Sequence, residues 1–118
     1  MGSREPLATN KLVASEDKIE GVEDKQTLED WFENVAMKVN LVYQGAKAIL
    51  DWAANNGTEI TASEINRRGD NVLATMLSLQ MYAFLKSKTK STAANHLKTL
   101  SSERGLEGWR ILRKELMG

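Results

Sequence analysis

The chain of 118 residues contains no cysteine, one proline and one histidine. The absence of cysteine excludes disulfide bonds, thiol catalysis and every metal site that needs a cysteine ligand. The single histidine, His96, has no second histidine with which it could share a metal ion, so we predict no metal and no cofactor. We interpret His96 as a surface or helix-edge residue.

Long apolar runs and catalytic motifs are also missing. No stretch approaches the roughly 18 apolar residues of a membrane-spanning helix, and residues 1–10 lack the apolar segment of a signal peptide. We therefore expect a cytoplasmic protein with no membrane partner. Glycine-rich phosphate loops and a glycine-flanked nucleophilic serine are absent, and carboxylates such as Glu29 and Asp30 stand where a helix begins. The prediction is that the protein is not an enzyme.

Neither sign of charge is in excess. Sixteen lysine and arginine residues balance sixteen aspartate and glutamate residues, so no overall field favours nucleic acid or a membrane surface. The two halves of the chain differ in sign: residues 1–60 hold six basic and eleven acidic residues, and residues 61–118 hold ten and five. Oppositely charged halves suit head-to-tail association of copies of one chain.

The remaining composition, 42% hydrophobic and 27% charged, is that of an average globular protein and predicts one compact domain. Residues 1–25 mix small, polar and acidic types without a steady apolar period, which predicts a flexible acidic N-terminal arm. In residues 26–118 apolar residues recur at helical spacings. We predict an all-α fold, a compact bundle of about five helices joined by short polar connections.

The first two predicted helices lie between residues 27 and 54. Thr27 is the expected N-cap of the first helix, and Gly45 is the position that could separate the first helix from the second. One face of the first helix carries five apolar residues: Leu28, Trp31, Phe32, Val35 and Val39.

The longest predicted helix covers residues 61–88. Thr61 or Ser63 is its expected N-cap, and Gly69 is the position where we expect a kink or a break. A short helix follows near Ser91, and the last helix begins at Gly105. One face of the longest helix carries Ile65, Val72, Leu73, Met76, Leu77 and Phe84. The apolar residues of the last helix are Leu106, Trp109, Leu112 and Leu116.

Three lysines, Lys86, Lys88 and Lys90, lie in the last turn of the longest helix or just past it. We interpret them first as a solvated helix end, where positive charge interacts favourably with the helix dipole. Contact with the phosphates of a nucleic acid is the alternative. If the last helix packs beside them, the basic patch would extend through Arg110, Arg113 and Lys114.

Two consecutive segments, LQMYAFLKSKTKSTAANHLKTL and SSERGLEGWRILRKELMG, resemble the capsid region of Gag-like proteins of long-terminal-repeat retrotransposons, especially the copia type. Upstream, LEDWFENVAMKVN, which contains Trp31 and Phe32, is similar to the tryptophan-bearing first helix of many such proteins. No zinc knuckle accompanies these segments, so packaging of RNA through a knuckle is not implied. The motif positions in the last segment are Gly105, Leu106, Glu107, Gly108, Trp109, Arg110 and Leu112.

The resemblance implies a structural function: a capsid module that associates with copies of itself into a shell around the RNA of the element. Many weak contacts repeated in such a shell sum to a stable particle. The resemblance leaves undecided whether this domain itself also binds RNA.

Two other functions are open. One is a small helical adaptor with a groove for a partner helix, in which methionines could form an adaptable surface. The other is a nucleic-acid-binding domain that uses the six basic residues named above. The methionines concerned are Met37, Met76, Met81 and Met117.

Overall fold

The computed structural model describes residues 6–118, and all regular structure among them is helical. The predicted all-α class is therefore confirmed. Residues 6–118 form seven helices rather than about five, because one short helix forms within the predicted arm and the predicted helix 61–88 is divided in two. They are α1 (Lys11–Ala14), α2 (Lys25–Val42), α3 (Ala46–Ala54), α4 (Ala62–Asn66), α5 (Asn71–Lys88), α6 (Ser91–Asn95) and α7 (Gly105–Met117). Within residues 6–118, none of the helices combines the length and the apolar composition needed to cross a bilayer.

Helix α2 begins three residues earlier than the sequence predicts. The carboxylate of Asp24 accepts the backbone N–H of Thr27 at 2.8 Å, so Asp24 is the N-cap and Thr27 lies in the first turn. The five predicted apolar residues of this helix are buried, together with Ala36. Gly45 then separates α2 from α3 and does not merely dent one continuous helix, because its φ of 95° lies in the left-handed region that glycine adopts readily.

The predicted break near Gly69 is also confirmed. A capping box formed by Thr61 and Glu64 begins α4, and four residues separate the end of this helix from the start of α5. Between them the guanidinium of Arg68 pairs with Asp70 at 2.7 Å and lies over the ring of Trp52 at 4.7 Å. This ion pair and stacking contact fix the turn against α3.

The prediction of a flexible arm is wrong for residues 6–25, and residues 1–5 lie outside the described part of the chain. Leu7, Val13 and Ile19 are buried in the core. Polar residues occupy the alternate positions between them, so they show neither the apolar repeat of a helix nor the alternation of a strand, and their burial depends on tertiary contact. The ammonium of Lys88 holds this segment by donating to the carbonyl oxygens of Ala14 and Glu16, each at 2.6 Å.

Helix α7 packs directly against the backbone of α5. A Cβ atom built on Gly105 would lie 2.0 Å from the carbonyl oxygen of Ser78 and 2.3 Å from the amide nitrogen of Tyr82. The Ser78 hydroxyl donates to the carbonyl of Glu103 at 2.7 Å and accepts the backbone N–H of Leu106 at 3.1 Å. One α5 side chain thus satisfies backbone groups at the start of α7 that have no partner within that helix.

This contact places Trp109 inside the core. Its ring meets that of Phe32 at 5.2 Å with the two planes nearly perpendicular, a favourable arrangement of aromatic pairs. Phe32 in turn contacts Trp31, which stacks near Phe84 at 6.3 Å. The aromatic cluster therefore joins α2, α5 and α7.

We predict that Gly105→Ala lowers the free energy of unfolding by about 3 kcal/mol or more, the upper end of the cost of overpacking, because the added methyl group meets backbone that cannot move aside. The matched control is Gly69→Ala. A Cβ there meets nothing within 4 Å, so its stability should stay close to that of the wild type. Urea denaturation of the three proteins measures the difference, and equal midpoints for the two variants would contradict the close approach.

Candidate functional site

The apolar residues of α2 and α7 that stand out in the sequence lie in the core. Trp31, Phe32 and Trp109 form the aromatic cluster, and Leu106 and Leu112 are fully buried beside it. Leu116 is half-buried against the same core, and Gly105 is the point of contact with α5. These seven residues therefore hold the fold together, and a surface site has to be found elsewhere.

The three lysines at the end of α5 have different surroundings. Lys88 is half-buried and holds the segment 6–25, as described above. Lys90 lies 3.7 Å from the carboxylate of Glu20, and Lys86 is exposed beside the ring of Tyr82. The lysines thus do not form a uniform patch of free cations.

The basic residues of α7 lie along a second surface. Arg110, Arg113 and Lys114 line a shallow cavity of about 470 Å³ together with the 54–57 turn. The Arg110 guanidinium donates to both oxygens of Glu107, at 2.8 and 2.6 Å. Arg113 lies over the Phe32 ring at 5.0 Å. The structure gives these residues and the lysines of α5 different partners.

His96 is half-buried at the C-cap of α6. Among residues 6–118, no group of three or more histidine, aspartate or glutamate side chains is arranged so that it could hold a metal ion.

The best-formed concave site is a groove between α4, α5 and the start of α7. Its volume is about 280 Å³. The apolar walls and floor come from Ile60, Ala62, Ile65 and Leu79, and the residues at its polar edge include Arg104 and Glu107. We call this site the groove.

Two residues at the start of α7 fix the wall of the groove at Ile60. The Glu107 carboxylate accepts the backbone N–H of Ile60 at 2.9 Å, and the Arg104 guanidinium donates to the carbonyl of Ile60 at 2.9 Å. Arg104 also pairs with Glu59 at 2.7 Å. Both backbone polar groups of Ile60 are therefore bonded to the first turn of α7 and the residue before it.

Glu107 is buried but charged. Burial by itself raises the pKa of Glu107, and the hydrogen bonds from Arg110 and from the Ile60 N–H outweigh burial, so that the pKa lies below its ordinary value. The same carboxylate raises the pKa of Arg110. Glu107 is thus part of the wall of the groove, and its charge is already paired with Arg110.

Exposed apolar side chains of α5 lie beside the groove. Val72 is 82% exposed and Leu79 48% exposed. A second shallow cavity of about 450 Å³ contains both residues, and it shares Asn66, Thr75 and Leu79 with the groove. The two cavities and the α5 side chains between them form one continuous surface, which we call the groove face.

The apolar pattern of the sequence does not indicate this face. It groups Val72 with the other apolar residues of one side, whereas α5 packs through a stripe that includes the small residues Ala74 and Ser78. In the sequence Glu107 stands out only as a motif position. Its position three residues before Arg110 was the available signal, because that spacing brings two side chains together on a helix.

Comparison of the chain with protein-family models, with curated proteins and with solved structures finds no match.

We predict that Glu107→Gln lowers the free energy of unfolding by about 2–3 kcal/mol at neutral pH, because Arg110 and Ile60 lose a charged acceptor. The depressed pKa makes the contribution of Glu107 complete above the ordinary value of 4.5. That contribution is lost as the pH falls through the lower pKa of the folded state. Stability curves of the wild type and the variant should therefore converge in acid.

The control Glu115→Gln changes an exposed carboxylate of the same helix and should follow the wild type at every pH. A constant gap between the wild type and Glu107→Gln would contradict the assignment.

Proposed function

We propose that this chain is a structural, non-enzymatic module that associates with copies of itself, as the resemblance to Gag-like capsid regions implies. The observation that carries the proposal is the groove face, where exposed apolar side chains of α5 adjoin an apolar groove. Exposed apolar surface that continues into a concave site is typical of a surface that a protein partner covers.

A second exposed apolar pair supports assembly beyond a single contact. Met37 and Leu41 lie four residues apart on α2, and they are 54% and 74% exposed. Residues at this spacing lie on the same side of a helix. A shell requires each copy to make at least two different contacts, because one twofold contact ends at a dimer. The α2 pair gives the chain a second apolar surface for this purpose.

The proposal includes RNA as the content of the shell and the cytoplasm as its location. Arg113 and Lys114 on α7 line the shallow cavity near the 54–57 turn, and cations on a common surface can contact a phosphate backbone. This part of the proposal concerns the inner surface of the shell, and it is independent of which residues join the copies.

The groove itself favours a second candidate, the adaptor that binds a helix of another protein. Its apolar lining and its polar edge are the features of sites that take an amphipathic helix. An adaptor that binds one helix does not need the exposed apolar pair on α2. We therefore rank self-association before the adaptor function.

The test is the mass of the protein in solution, measured by light scattering and analytical ultracentrifugation from low micromolar concentration to the solubility limit, in low and in near-physiological salt. We expect the mass to rise with concentration and to depend on salt, and we expect electron microscopy of the concentrated protein to show particles. A monomer under all these conditions would contradict self-association.

A further inference from the structure

We propose that the shallow cavity between α7 and the 54–57 turn is a phosphate-binding site that holds the backbone of a single-stranded RNA, with Arg113 and Lys114 as its contact residues. We call this site the basic cavity. The inference rests on the RNA part of the proposed function and names the residues that bind the strand. It does not depend on the surface through which copies associate.

Three cations of α7 border the basic cavity. Arg110, Arg113 and Lys114 occupy positions i, i+3 and i+4, a spacing that places side chains on one side of a helix, and all three line the cavity of about 470 Å³. No aspartate or glutamate of residues 6–118 lines it, and the terminal carboxylate of Gly118 is the one negative group there. The α7 side of the cavity is therefore positive.

The charge of Arg110 is already balanced. Its guanidinium donates to both oxygens of Glu107. Glu115, the other acidic residue of α7, stands two residues after Arg113 and is therefore on the opposite side of the helix. The positive charges that an external anion can neutralise are those of Arg113 and Lys114.

Arg113 is a half-buried cation whose donors have no hydrogen-bond acceptor among residues 6–118. Its guanidinium lies 5.0 Å from the centre of the Phe32 ring and 5.9 Å from that of Trp109. Attraction between the cation and the rings holds the group in place, yet it uses none of the five N–H donors. A guanidinium with unused donors can bind two oxygens of one phosphate at once.

Lys114 places a second cation beside Arg113. Its side chain is exposed, and it makes no ion pair within the described part of the chain. A lysine ammonium is a point charge on a flexible stem, so it can follow a phosphate next to the one that Arg113 binds. A shallow site with two adjacent cations suits a charged strand that passes over it.

The opposite side of the cavity favours RNA over an acidic peptide. The side-chain NH₂ groups of Asn55 and Asn56 donate to the carbonyl of Asp51 and the carboxylate of Glu64, which leaves their amide oxygens as acceptors. An RNA strand carries donors on its unpaired bases and 2′-hydroxyls as well as anionic phosphates. Acidic side chains supply acceptors only. The pairing of cations with acceptors across one cavity therefore matches RNA.

The first test measures the binding of a labelled oligouridylate by fluorescence anisotropy over a range of salt concentrations. Removing one contact to a phosphate of a single strand lowers the salt dependence of log K by about 0.7, which corresponds to roughly fivefold weaker binding at about 0.1 M salt. We expect this change for Lys114→Gln. The matched control Lys98→Gln removes an exposed lysine outside the cavity and should keep the salt dependence of the wild type.

The second test separates the charge of Arg113 from its geometry. Arg113→Gln should lower the salt dependence as Lys114→Gln does. Arg113→Lys should keep the salt dependence, because the charge remains, and should still weaken binding, because an ammonium cannot bind two phosphate oxygens in the same way. Circular dichroism and thermal unfolding check that each variant is folded. A purely structural Arg113 would change the unfolding temperature and leave the RNA affinity of the folded protein unchanged.

The third test compares RNA with an oligoglutamate of the same number of charges. We expect the oligoglutamate to bind at least about tenfold more weakly, because it gives the acceptors of the 54–57 turn no side-chain donor. Equal affinity for the two polyanions would overturn the assignment of phosphate. Lys86→Gln tests the lysines of α5 in the same assay. A lowered salt dependence for Lys86→Gln and not for Lys114→Gln would also overturn it.

The outcomes distinguish this inference from the proposed function. A wild type that binds RNA while the Lys114→Gln and Arg113→Gln variants bind equally well would overturn the site and leave the RNA part of the proposal standing. A wild type without affinity for RNA would overturn both. Self-association is judged separately by light scattering, in which Lys114→Gln should show the same mass as the wild type at each concentration.

Discussion

The close approach of α7 to the backbone of α5 is the contact on which the rest of the structure depends. Gly105 permits it, because any side chain there would overlap the carbonyl of Ser78. The Ser78 hydroxyl completes it by bonding the backbone on both sides of Gly105. Once α7 is held at this distance, Trp109 reaches Phe32 on α2, and three helices share one aromatic cluster.

The same contact builds the groove. Arg104, which precedes Gly105, and Glu107, two residues after it, bond both backbone polar groups of Ile60. The start of α7 therefore contributes both to the core and to the wall of a surface cavity. A groove held in this way is formed before a partner arrives, which reduces the ordering cost of binding. The proposed association of copies uses this preformed surface together with the exposed side chains of α5.

Helical periodicity accounts for what could be predicted from the sequence. The buried faces of α2 and α7, the separation at Gly45 and the all-α class all follow from the spacing of apolar residues and from glycine at breaks. The segment 6–25 could not be predicted, because its three buried residues follow no local period and are held by distant partners. The pattern groups Val72 with the buried Leu77, although Val72 is exposed, because α5 packs through Ala74 and Ser78 and small residues contribute little to an apolar pattern. The groove depends on contacts between elements that are far apart in the sequence. The apolar pattern of a single helix carries no information about such contacts.

Hydrogen exchange at the backbone amide of Leu106 reports on whether the start of α7 is held firmly against α5. An amide in the first turn of a helix has no partner within the helix and ordinarily exchanges its hydrogen fast. Here it donates to the buried Ser78 hydroxyl. Native-state hydrogen exchange should therefore show that this amide opens only with global unfolding, with the free energy and urea dependence of the whole domain. Exchange through a local opening of much lower free energy would contradict the account.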